Sequence, residues 1–99
     1  MAATILLCDA HTLVREGLAA LLRQRTDWTV VGEAADGLEA LALAARLRPD
    51  VAVLDVAMPG MSGTEAAAAI RRVAPGTRIV ALSMFGDALY RRGMFAAGA

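Results

Sequence analysis

Apolar positions along this chain alternate between two kinds of pattern. Residues 4–8 (TILLC) form an unbroken apolar run closed by Asp9, and from Thr12 onward Val14, Leu18, Leu21 and Leu22 recur at helical spacing. This predicts a strand and then a helix, with Thr12 as N-cap and Arg23 and Arg25 placing positive charge where the helix dipole favours it. Trp28–Ala34 (WTVVGEA) is rich in strand formers and bounded by Asp27 and Asp36-Gly37, which predicts a second strand. Leu38, Leu41, Ala42 and Ala45 predict a second helix that Pro49 stops. Residues 51–54 form a third apolar strand, again closed by an aspartate, Asp55. The loop VAMPGMSG follows, then a helical stretch over residues 64–73 containing Ala66, Ala67 and Ile70. Beyond the Pro75-Gly76 turn, residues 78–83 (RIVALS) read as a fourth strand and residues 87–97 as a weaker fourth helix.

Four strand-helix units in succession predict an α/β domain with a doubly wound parallel sheet, because each parallel crossover needs a right-handed helical return. Ligands in such sheets collect outside the carboxyl ends of the strands, which here carry Asp9, Asp55 and Ser83.

A length of 99 residues accommodates one domain and no separate output domain. The hydrophobic share of 58% includes 23 Ala, so the excess is small side chains, and disorder is excluded. Charged residues interrupt every run before it reaches membrane-spanning length, and the N-terminus lacks the basic and apolar regions of a signal peptide, so a soluble cytoplasmic protein with no membrane partner is expected. Ten acidic and ten basic side chains give zero formal charge, which removes the footprint of a direct nucleic-acid binder. All ten basic residues are Arg; Lys is absent. The single cysteine, Cys8, lies within an apolar strand and reads as a buried, inert thiol.

An isolated strand-end aspartate is most often a turn or capping residue. Two of them change the balance: if strands one and three are neighbours, Asp9 and Asp55 lie about 5 Å apart. Two like charges that close require a proton or a cation between them, and Mg²⁺ suits one or two carboxylates with phosphate oxygens. His11, a lone loop histidine, reads more readily as structural than as an acid-base catalyst. Trp28 and Tyr90 read as packing residues, Met58, Met61, Met84 and Met94 as gap fillers, and Arg71-Arg72 and Arg91-Arg92 as solvated helix faces, the latter pair alternatively serving a partner surface.

The stretches ILLCDAHTLVREGLAALL, DVAVLDVAMPGMSG and IVALSMF resemble, in order and spacing over essentially the whole chain, the receiver domains of two-component response regulators, in particular regulators with a LuxR-type (NarL-type) helix-turn-helix output domain. The resemblance implies a flavodoxin-like (CheY-like) fold with strand order 2-1-3-4. It implies that Asp55 accepts a phosphoryl group from a histidine kinase, that Asp9, Asp55 and the backbone carbonyl of Ala57 hold Mg²⁺, and that the Ser83 hydroxyl binds the phosphoryl group and switches. The chain would be a signalling domain, not an enzyme, able at most to catalyse its own phosphorylation and dephosphorylation; it could homodimerise and would reach DNA only through an output domain that it lacks.

Two departures qualify this. Ala10 stands where the family places its second, directly metal-binding acid, so weak Mg²⁺ binding is expected. The site lysine is absent, because the family's fifth strand and last helix would follow residue 99. The expectation is therefore a C-terminally incomplete receiver over residues 1–99, with strand four as an open edge that invites association. Two rival readings are a pseudo-receiver acting as a phosphorylation-independent interaction module, favoured by Ala10, and a flavodoxin-like nucleotide or flavin binder, disfavoured because CDAHT replaces the Gly-rich loop after strand one.

Overall fold

A computed structural model describes residues 3–82, along which seven elements alternate. They are β1 (Ala3–Cys8), α1 (Thr12–Arg23), β2 (Trp28–Ala34), α2 (Gly37–Leu47), β3 (Val51–Asp55), α3 (Gly63–Val73) and β4 (Arg78–Leu82). All pairings are parallel and the sheet order is β2-β1-β3-β4, the doubly wound, flavodoxin-like arrangement expected. Ser83 and the helix expected over residues 87–97, with Tyr90, Arg91 and Arg92, lie outside the described residues, as do Met84 and Met94.

Ile5, Leu6, Leu7 and Cys8 are all buried, so β1 has no polar face and is covered on both sides, as the continuous apolar run requires. Side chains alternate along a strand. Leu6 and Cys8 join Ala52, Leu54, Ala66, Ala67 and Ile70 in the main core beneath α2 and α3. Ile5 and Leu7 face the other side, where α1 packs on β1 and β2 with Ala19 fully buried. Burial pushes the Cys8 thiol up to about 12, with Glu39 adding a smaller repulsive contribution.

The structure corrects three local expectations. Thr12 is the first residue of α1 and His11 occupies the N-cap position without a side-chain cap, because Asp9 turns the chain one residue earlier. Within α1, Leu21 is exposed, and the helix is anchored by Ala19 with Val14, Leu18 and Leu22 half-buried. In α2 the buried stripe is Gly37, Ala40 and Ala44 flanked by Leu41 and Leu43, whereas Leu38 is 65% exposed and Ala42 and Ala45 face outward. The cause is close packing: a Cβ on Gly37 would overlap the Met61 carbonyl oxygen, so the smallest residues face inward and the bulky Leu38 is left outside.

Local caps fix the helix ends. Asp36 accepts a hydrogen bond from the Glu39 backbone N–H (2.8 Å), and Glu39 Oε1 accepts one from the Ala35 N–H (2.9 Å). At the far end Arg48 takes a left-handed conformation (φ 45°) and passes the chain into buried Pro49.

Ile70→Ala should cost about 2–5 kcal/mol in urea unfolding, whereas Leu38→Ala should stay within about 0.5 kcal/mol. Cys8 should resist iodoacetamide in the folded chain and react on unfolding. Between pH 9.0 and about 12 the unfolded thiol loses its proton while the folded one keeps it, so stability should fall as pH rises through that window.

Candidate functional site

The register of β1 on β3 pairs Ile5 with Val51 and Cys8 with Leu54. One further step brings Asp9 beside Asp55 at the carboxyl edge of the sheet. Both are buried, 1% and 2% exposed. Asp9 Oδ1 accepts the His11 backbone N–H at 2.7 Å, an Asx turn that redirects the chain into α1. Arg15, one turn into that helix, donates from Nη1 to the Asp9 carbonyl at 2.6 Å. The Arg15 guanidinium also lies 3.4 Å from Glu33 on β2, and Arg23 Nη2 donates to the same carboxylate at 3.3 Å. Asp9 is therefore held by α1 and, through Glu33, by β2.

Asp55 Oδ1 accepts the Ala57 N–H at 3.0 Å. Asp55 Oδ2 is buried and has no hydrogen-bond partner among the described residues. His11 Nδ1 lies 3.2 Å from Asp9 Oδ1 and 3.8 Å from Asp55 Oδ2, and one ligand atom from each of the three residues falls within 4.8 Å of the others. A carboxylate oxygen left unpaired inside a protein is costly, and a second carboxylate beside it adds repulsion. This donor set fits a divalent cation.

The loop after Asp55 is tied at both ends. Val56 donates to the Leu82 carbonyl (3.1 Å) and accepts from the Gly63 N–H (3.2 Å). Met58 is buried beneath it, and Gly60 turns with φ +75°. Ser62 and Glu65 form a reciprocal capping box on α3. Gly63 meets the Asp55–Val56 backbone so closely that a Cβ would lie 2.6 Å from Val56 Cα and overlap the Asp55 carbonyl oxygen.

The structure thus brings together Asp9 and Asp55, with Ala10 half-buried beside Asp9 and Ala57 exposed next to the loop. Sequence reasoning read His11 as structural and left out Arg15. Their signal was position: His11 follows Asp9 by two residues, within reach of an Asx turn, and Arg15 follows His11 by one helical turn. Among the described residues no helix is long and apolar enough to cross a membrane.

The response regulator receiver domain family matches residues 5–99. The nitrate/nitrite response regulator protein NarL of Escherichia coli K12 is 44% identical over 83% of this chain, and the transcriptional regulatory protein LiaR of Bacillus subtilis 46% identical over 84%. The chain spans 38% and 39% of the lengths of those relatives. A LuxR-family two-component response regulator from Aurantimonas superposes with a TM-score of 0.93 at 38% identity, over 100% of this chain and 71% of that one. A signal receiver domain of a NarL regulator from Mycobacterium tuberculosis gives the same TM-score and identity over 99% and 79%.

The tight approach at Gly63 yields a test. Gly63→Ala must push α3 away from the Asp55 carbonyl, and should cost about 1–3 kcal/mol in urea unfolding. Gly60→Ala has open space around it but a positive φ, and should cost about 1 kcal/mol.

Proposed function

Because the chain belongs to the response regulator receiver domain family, we propose that Asp55 accepts a phosphoryl group from a histidine kinase and that the domain relays this event to a DNA-binding output domain. The observation that carries the reading is Asp55 Oδ2, buried, without a hydrogen-bond partner among the described residues, and facing the pocket shared with Asp9 and His11. A carboxylate oxygen with free lone pairs is a nucleophile toward phosphorus. The bond from Oδ2 to phosphorus forms while the bond from phosphorus to the donor imidazole nitrogen breaks, and that nitrogen takes the electron pair. Ala57 N–H stays on Oδ1 and orients the attacking oxygen.

Members of this family bind Mg²⁺ at such an acidic pocket. Asp9, Asp55 and the backbone carbonyl of Ala57 would hold it here, and the ion would supply positive charge against the transferred phosphoryl oxygens. Ser83 is assigned the hydroxyl that receives a phosphoryl oxygen. Ala10 contributes no side-chain ligand, so transfer should be slow. Ala10 also favours the second reading, a pseudo-receiver that works as an interaction module without phosphorylation.

Intact-mass measurement after incubation with acetyl phosphate and Mg²⁺ separates the two. A small phosphorylated fraction is expected, lost in Asp55→Asn and raised roughly tenfold in Ala10→Asp. Labelling that persists in Asp55→Asn would place the phosphoryl group elsewhere. Labelling confined to Ala10→Asp would establish the pseudo-receiver.

A further inference from the structure

Position 10 lacks a carboxylate, yet the pocket holds a third donor. We propose that His11, through Nδ1, completes the metal site with Asp9 and Asp55, and that the site consequently selects a nitrogen-accepting divalent transition ion over Mg²⁺. This rests on the metal-assisted reading of the same pocket and changes which ion serves it.

The spacing supports coordination. Donors about 2.1 Å from one ion lie about 3.0 Å apart at octahedral edges and about 3.4 Å apart at tetrahedral ones. His11 Nδ1 stands 3.2 Å from Asp9 Oδ1, between those values, and 3.8 Å from Asp55 Oδ2, somewhat beyond them; the three ligand atoms fall within 4.8 Å of one another, so a small inward turn of the side chains brings them onto one ion. The independent sign of a ligand is Asp55 Oδ2: it belongs to a buried side chain, has no partner among the described residues, and has this ring nitrogen within 4 Å. Asp9 Oδ1 keeps the His11 backbone N–H when the ring nitrogen turns to an ion, so the turn that presents the ring survives coordination. With 63% of the His11 side chain exposed, the pocket opens on that side to water and to phosphoryl oxygens.

Donor chemistry sets the preference. Two carboxylates and water suit Mg²⁺, whereas imidazole suits ions from Fe²⁺ to Zn²⁺, whose affinities for such sites are also intrinsically higher. Neighbouring Cys8 does not compete, since its side chain is fully buried in the main core with Leu6, Ala52 and Leu54.

Co²⁺ and Mg²⁺ titrations of the 99-residue chain, followed by calorimetry and by Co²⁺ visible absorption, test the assignment. The chain has one histidine, so its ring signals in proton NMR report on His11 without further assignment. Co²⁺ should bind at least roughly tenfold more tightly than Mg²⁺ and displace the His11 ring signals in the unaltered chain. His11→Ala and His11→Gln should weaken Co²⁺ binding about tenfold and alter its absorption bands, with Mg²⁺ binding nearly unchanged. Ala10→Asp should narrow the preference by tightening Mg²⁺. Co²⁺ binding that leaves the ring signals in place, or that both His11 variants retain at full strength, would overturn the proposal and leave the ring as a hydrogen-bond donor to Asp9. Phosphorylation is read separately: Asp55 labelled in Mg²⁺ with a silent His11 sinks only the ligand assignment, and Co²⁺ held by His11 without any labelling of Asp55 sinks only the phosphoacceptor reading.

Discussion

Two carboxylates forced together inside a protein repel one another, and the site depends on the pairing of β1 with β3 that imposes this. The pairing is secured well away from the charges. Leu6, Cys8, Ala52 and Leu54 interlock in the main core, and Ile5 and Leu7 are buried against the opposite layer. Because a slip of one residue would exchange the two faces of β1 and drive Asp9 out of its pocket, apolar packing sets the position of the charged groups. The electrostatic cost is borne by a sheet in which β1 is buried on both sides and β3 buries Ala52 and Leu54 on one side while Val51 and Val53 are half-buried on the other.

The surrounding polar contacts distribute that constraint over several elements. Arg15 fastens the Asp9 main chain to α1, and Glu33 gathers Arg15 and Arg23 onto β2. On the other side Ala57 orients one oxygen of Asp55, while the Gly63–Val56 contact and the Ser62–Glu65 box fix the loop that follows. The contrast between the two oxygens of Asp55, one held and one unpartnered among the described residues, arises from backbone geometry on this loop.

Much of this was legible from the chain alone. The strands stood out because parallel strands buried on both faces read as unbroken apolar runs, and because Asp9 and Asp55 close two of them. Helix faces were harder to read. In an Ala-rich chain almost every rotation of α2 offers a small apolar stripe, and the choice fell to Gly37 against Met61, a contact between segments far apart in sequence. The start of α1 was displaced because the Asp9 side chain competes for the His11 N–H, which propensity does not register. His11 was undervalued for a related reason: on its own it is a loop histidine, and only the folded register sets it beside two acids.

The alanines that line the interior, among them Ala34, Ala40, Ala44, Ala52, Ala66 and Ala67, have few ways to respond to disturbance. An alanine has no side-chain rotamers to lose on folding, whereas Leu or Ile gives up about 0.5–1 kcal/mol of side-chain entropy. The same lack of rotamers removes the usual means by which a core absorbs a shift, the hopping of long side chains into new wells. At two places the approach is between backbones, Gly37 of α2 against Met61 and Gly63 of α3 against the Asp55–Val56 segment, and there a displacement of the Asp55 loop meets no side chain that could yield. At those two contacts the small residues couple the loop directly to the helices, which makes them points of stiff transmission.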